Sequence, residues 1–352
     1  MSAKTLVLSA FFPVAALAQS YAGLGGEAGG YLPVTRPAAL AFPRDHGPHP
    51  GFRIEWWYLT ANLSDADGTD FGIQWTLFRI PLSPAPEAPG WQSNQIWMGH
   101  AALTHADEHR YAETFARGGI GTAGVQLAPF RAWIDDWRMT ALRGPGDALA
   151  AIALTAGGEG FAYDLQASAD LPPVPQGEEG YSLKAPGGAA SYYYSQPFYA
   201  VEGSLELDGR RIPVTGQAWL DREWSSQPLR PDDAGWDWFS LHLATGEKVM
   251  AYRFRKTDGS ANLAGTWIDA GGRPSPLGDA EIAITERARS TVAGRAVPTA
   301  WHVEIPSRGF AVDTEPLNPQ SWMGTTFAYW EGPIRFEGSH DGRGYLEMTG
   351  YE

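Results

Sequence analysis

"RIEWWYLTANLSDADG" (residues 53–68) and the stretch that returns from it, "TDFGIQWTLFRI" (69–80), decide the fold class. The first run is aromatic and apolar and stops at Asp65-Ala66-Asp67-Gly68, residues that favour a turn. On the return, Phe71, Ile73, Trp75 and Leu77 share one side of a strand, and Gly72, Gln74 and Thr76 share the other. The two runs read as a hairpin with an apolar face. Glu55 is the anomaly. It stands beside Trp56, Trp57 and Tyr58, where a strand core needs no acid and a wet strand needs no indoles.

The same pattern continues along the chain. "FYAVEGSLELDG" (198–209) and "RRIPVTGQAWLDREW" (210–224) meet at Asp208-Gly209 as a second hairpin, while "LPPVPQGEEG" (171–180) and "APGGAAS" (185–191) read as loops. The chain holds 15 Trp, 14 Tyr and 15 Phe among many turn-forming Gly and Pro, and no long amphipathic helix stands out. These features predict an all-β protein.

An internal echo divides it. "EWWYLTANL" (55–63) aligns with "DWFSLHLATG" (237–246): Glu55 with Asp237, Trp56 with Trp238, Trp57 with Phe239, Leu59 with Leu241. Each stretch is followed by a strand ending in Phe-Arg, at Phe78-Arg79 and Phe254-Arg255, and "WMG" recurs at 97–99 and 322–324. The expectation is two related, lipocalin-like antiparallel β-barrel or sandwich domains packed together, over 46–210 and 211–352, after an extension at 19–45. The aromatic content predicts a barrel with an apolar cavity, because about eight strands can enclose one small ligand.

The N-terminus, "MSAKTLVLSAFFPVAALAQS", has a basic start, an apolar run and Ala16-Leu17-Ala18 at a cleavage position, as in a secretory signal over 1–18. The expected product is periplasmic or secreted. With no cysteine, its stability must come from buried core rather than disulfides. A net charge of −14 argues against nucleic acid and anionic lipid as partners. A hydrophobic small molecule is the expected partner.

"GQAWLDREWSSQPL" (216–229) and "GWDWFSLHL" (235–243) carry the candidate chemistry. Alternation puts Trp219 and Asp221 on one face, with Glu223, Trp224, Trp236, Asp237 and Trp238 close in sequence. A carboxyl among indoles loses hydration and stays protonated near neutral pH, so it can act as a general acid. Ring faces stabilise positive charge. Together these suit protonation of an alkene followed by capture of the carbocation by water. They suit plain binding of an apolar ligand equally well.

The histidines of "DHGPHP" and of His100, His105 and His109 match no metal-binding spacing well, so no metal is expected. There is no Gly-x-Ser-x-Gly motif, and neither Ser195 nor Ser225-Ser226 has a histidine nearby in sequence. "GLGGEAGG" (23–30) neither follows a strand nor opens a helix, so no phosphate-cradling loop is expected.

On "HPGFRIEWWYLTANL" (49–63), "YYYSQPFYAVEGSLELDG" (192–209), "GQAWLDREWSSQPL", "GWDWFSLHL" and "GYLEMTGYE" (344–352), the chain resembles the AttH and carotenoid 1,2-hydratase family, whose members are also called lipocalin-like secreted hydrolases. The resemblance implies two lipocalin-like domains and cofactor-independent hydration of an isoprenoid double bond. It implies that Trp219-Leu220-Asp221 is the block carrying the critical acid, and that Tyr192 and Tyr194 stand where the hydratases carry His and Trp. Trp219 also replaces a tyrosine of that pattern.

Asp221 is thus the expected proton donor, with Glu55 and Asp237 as auxiliary carboxylates. Trp56, Trp57, Tyr58, Tyr192, Tyr194, Trp219, Trp236 and Trp238 are the expected ligand wall, and Glu55 is expected where the first domain faces the second. The alternatives are a carrier without chemistry and a secreted hydrolase, for which no nucleophile–base pair is evident.

Overall fold

Alternation shapes the first sheet. In the computed structural model, which describes residues 29–142, 147–185, 189–227, 229 and 232–351, β1 (Ile54–Ser64) pairs antiparallel with β2 (Asp70–Pro81). The leader expected at 1–18 lies outside the described residues. β3 (Gln95–His105) and β4 (Glu108–Arg117) continue the meander. A second meander runs through β5 (Ala123–Leu127), β6 (Phe130–Ile134), β7 (Trp137–Ala141), β8 (Ala151–Gly158) and β9 (Phe161–Ser168). The short β10 (Val174–Pro175) and β11 (Tyr181–Ala185) lead to the long hairpin of β12 (Ala189–Leu207) and β13 (Arg210–Gln227).

That hairpin joins the two meanders: β13 pairs with β1, and β12 pairs with β9. The sheet curls into a nearly closed barrel. Phe71, Ile73, Trp75 and Leu77 turn into it as their alternation predicts, joined by Trp57, Leu59, Leu220 and Trp224 in one continuous core.

The second sheet is a half-barrel. It contains β14 (Asp233–Leu243), β15 (Lys248–Lys256), β16 (Ala261–Ile268) and β17 (Pro274–Leu277). β18 (Ala283–Val292), β19 (Arg295–Ile305), β20 (Phe310–Pro316), β21 (Trp322–Met323), β22 (Tyr329–Gly338) and β23 (Gly342–Thr349) complete it. Its own core is built on Phe239, Leu241, Trp301, Trp330 and Leu346.

Two expectations are corrected here. A boundary at 210/211 would cut the β12–β13 hairpin at its turn, yet β13 completes the first sheet, and Leu220 and Trp224 sit in the first core. The chain changes sheets between Gln227 and Asp233. Nor does the aromatic cleft lie inside a barrel: among the described residues, the side chains turned into each sheet form an apolar core. A third apolar cluster, with Ile54, Tyr58, Tyr193, Trp219, Trp238, Tyr252 and Tyr345, packs between the sheets. β1 is therefore buried on both faces, which explains its nearly unbroken apolar run. Gly72 marks one close approach: a Cβ there would lie 2.5 Å from the Pro333 ring of the second sheet.

A cleft between the two sheets

The echoed strands decide which side chains meet. On β1, Trp56 and Tyr58 point toward the second sheet while Glu55 and Trp57 point into the first core. On β14, Trp236 and Trp238 point back toward the first sheet while Asp237 and Phe239 point into the second core. The outward-turned residues line a narrow cleft that holds about 70 Å³ of free space. Its walls are Trp56, Tyr58, Phe78, Trp236, Trp238, Tyr252 and Phe254, and its polar groups are Asp221, Glu223, Lys184 and Glu347. An apolar lining with few convergent polar groups is the usual make-up of a small-molecule site.

Asp221 sits in this wall opposite Tyr58 in the β1–β13 register. Its Oδ1 accepts from Ser195 Oγ at 2.5 Å and Trp219 Nε1 at 2.6 Å, and its Oδ2 accepts from Tyr193 Oη at 2.6 Å. Burial nevertheless dominates and pushes the carboxyl up to about 7, against the pull of these donors and with help from Glu223. Asp221 can therefore hold or release a proton near neutral pH. Trp219, expected in the ligand wall, instead lies behind Asp221, wholly buried and outside the cleft lining. Trp238 Nε1 reaches the Tyr193 hydroxyl at 3.3 Å, so one donor chain links both sheets to the acid.

Lys184 is the cleft's cation. Its Nζ is 2.9 Å from Glu223 and lies 4.7 and 4.9 Å from the Tyr193 and Tyr252 ring centres. The rings of this cleft already face a positive charge, the property a carbocation would need from them.

Five further expected residues lie elsewhere. Glu55 accepts from both Arg79 and Arg222 inside the first barrel, with His49 beside it. Burial works against its charge, but the two guanidiniums and His49 outweigh it and hold the carboxyl well below its ordinary range. A permanently ionised group cannot donate a proton, so Glu55 is no acid, nor does it face the second domain. Asp237 is its counterpart in the second core, 3.2 Å from Arg255 and accepting from Tyr351 Oη at 2.9 Å. The echoed acids thus answer to echoed arginines in the return strands.

Trp57 packs in the first core, its indole N–H donating to the His46 carbonyl and its ring under the Arg222 guanidinium at 3.7 Å. Tyr192 and Tyr194 also turn toward the first core, bonded to Thr35 and His46. The tyrosine that serves the acid is Tyr193, between them. Three consecutive tyrosines carry no alternation, so only the register opposite β13 reveals which one faces the cleft. Glu347 and Lys184 were both missed: alternation in the last strand puts Glu347 on one side with Tyr345 and Thr349, opposite Leu346 and Met348, but nothing in it marks a site, and Lys184 had no signal in sequence.

Removing the Tyr193 hydroxyl should raise Asp221 further, because that bond favours the carboxylate. Carbon-13 titration of Asp221 in Tyr193→Phe is the check, and an unchanged or lowered value would show that the hydroxyl does not control the acid.

Comparison with known proteins agrees with this architecture. Residues 33–351 match the AttH-like family model. A protein assigned as AttH from Nitrosomonas europaea superposes with a TM-score of 0.80 at 33% identity, over 91% of this chain and 100% of that one. Kievitone hydratase from Nectria haematococca shares the fold, with a TM-score of 0.68 at 17% identity over 91% and 96% of the two chains. No curated protein matches the chain in sequence.

Proposed function

The chain belongs to the AttH-like family, and from that premise and the cleft we propose that it hydrates a carbon–carbon double bond in a hydrophobic, isoprenoid-like substrate by acid catalysis without a cofactor. The observation that carries this reading is Asp221: a carboxyl poised near neutrality, fixed by three donors, in the wall of an aromatic cleft.

In this mechanism the substrate lies along Trp56, Trp236 and Trp238 with its alkene against Asp221. The acid gives its proton to one alkene carbon as the π pair moves to form the new C–H bond. The tertiary cation left on the other carbon is held by the ring faces, an interaction of about 2 kcal/mol or more when water is excluded. Water then forms the C–O bond and loses a proton. The structural relative named as a hydratase supports the same direction, although its fold likeness alone carries no substrate to this chain.

The test is incubation of the purified protein with prenylated phenols and acyclic polyenes in ¹⁸O-labelled water, followed by mass spectrometry. A product heavier than its substrate by one labelled water is expected. Bound but unchanged ligand throughout would defeat the hydratase reading and favour a carrier.

A further inference from the structure

Asp221 belongs to a longer polar row. Ser195, Asp221, Tyr58, Thr76, His100 and Glu113 are successive cross-strand neighbours on β12, β13, β1, β2, β3 and β4. A row on a face buried against another sheet would ordinarily be apolar. Opposite it, Glu331 on β22 and Glu347 on β23 are direct neighbours. Glu347 lines the cleft and Glu331 lies behind it, 1% exposed. Burial pushes both carboxyls up, Glu347 to about 8; the charge of Glu347 raises Glu331 further, and those of Asp221 and Glu223 raise Glu347. Buried side by side, the two carboxyls hold protons near neutral pH and can give them up.

Hydrogen bonds connect this pair to the surface. Tyr58 Oη donates to Glu331 Oε1 at 2.6 Å, and the Tyr329 hydroxyl lies against the same carboxyl. Tyr329 Oη is 2.9 Å from His100 Nδ1, and His100 Nε2 is 3.0 Å from Glu113 Oε1. His100 is wholly buried, whereas the Glu113 side chain is 19% exposed and accepts from the Thr326 hydroxyl at 2.8 Å. The path thus begins at the cleft and ends in solvent.

We propose that Glu331 and Glu347 are the second acid–base unit of the cleft, and that Tyr329, His100 and Glu113 relay protons between that pair and bulk solvent. The proposal deepens the hydration reading and rests on it for its role in turnover. Hydration consumes one proton at Asp221 and liberates another from the attacking water. Once Asp221 has given its proton to the alkene it is a carboxylate, and Glu347, which holds its proton at neutral pH, restores it. Glu331 refills Glu347 and is refilled in turn from Glu113 through His100 and the Tyr329 hydroxyl, His100 taking a proton at Nε2 as it releases one from Nδ1. Tyr329 gains one proton as it passes on another, so it never becomes a phenolate. The attacking water's proton leaves to solvent at the cleft mouth, and the sum is one water added to one alkene.

Hydrogen–deuterium exchange of the buried acid tests this without a substrate. The protein is mixed rapidly with D₂O, and the carbonyl stretch of protonated carboxyl that disappears in Glu331→Gln is followed by infrared spectroscopy. Exchange of that band should slow by about tenfold or more, a barrier increase of about 1.4 kcal/mol, in both His100→Phe and Glu113→Gln. The second variant changes a partly exposed side chain that keeps its shape, so it guards against misfolding of the first. Unchanged exchange in both variants, or no such band in the unmodified protein, overturns the relay. Slowed exchange in a protein that hydrates nothing would support the relay and defeat the hydration reading, so the two can fail separately.

Discussion

Turnover by the Asp221→Asn protein is expected to fall by about 10²–10⁴-fold, the range a general acid contributes, while affinity for an apolar ligand changes only a few-fold. The asparagine Oδ1 can accept from Ser195 and Trp219 as the carboxyl does, and its Nδ2–H can donate to the Tyr193 oxygen. The cleft wall is therefore kept and only the transferable proton is lost. Initial rates and tryptophan quenching separate the two effects. Turnover that survives would remove Asp221 from the mechanism, and loss of ligand binding in parallel would reduce it to a positioning role.

The same variant carries a signature in stability. Burial raises Asp221 from 3.8 to about 7, so the folded chain binds that proton more tightly than the unfolded chain does. The carboxyl consequently destabilises the fold increasingly as pH rises above about 4, and the penalty levels off past about 7. The full interval corresponds to at most about 4 kcal/mol. Asparagine has no such penalty, so the difference in unfolding free energy should move in the variant's favour between pH 4 and pH 8. A difference that moves the other way would mean that the three donors favour the carboxylate over the acid.

What the sequence revealed was the part carried by periodicity. Phe71, Ile73, Trp75 and Leu77 alternate because one face of β2 meets the barrel core. The echo of Glu55 and Asp237 is legible because each half repeats an acid–arginine ion pair between its first strand and its return. Asp221 was reachable because Trp219-Leu220-Asp221 fixes its face relative to an indole.

The rest turns on which face of a strand meets which sheet. β1 is apolar on both sides, so Trp56 and Trp57 look alike in sequence although one lines the cleft and the other fills the barrel. The Glu331–Glu347 pair was equally hidden, because it exists only once β22 and β23 are in register. A cleft between two sheets has no signature in either half alone.

Glu55→Gln should prove the most damaging single change to the fold, costing about 3–5 kcal/mol, as breaking a buried ion pair from one side does. The carboxylate sits between two guanidiniums that are themselves inaccessible, Arg79 being 1% exposed and Arg222 fully buried. Their other bonds include Arg79 to the Phe52 and His49 carbonyls and Gln95, and Arg222 to the Gly47 and Glu223 carbonyls, all neutral acceptors. Glutamine would preserve the shape and leave two buried cations without a counter-charge. The arginines also fasten the 44–52 approach segment to β2 and β13, so its loosening should accompany the loss. Because the folded-state pKa of Glu55 is depressed, the stability it supplies is present above its unfolded pKa near 4.5 and fades as pH falls below that value. The deficit of the glutamine protein should therefore be large at pH 7 and smaller at pH 3, opposite in sense to the trend expected for Asp221→Asn. Denaturant unfolding of both variants at the two values measures this directly. A deficit under about 1 kcal/mol at pH 7 would mean that the arginines find other compensation, and the acid of "EWWY" would then lack the architectural role assigned to it.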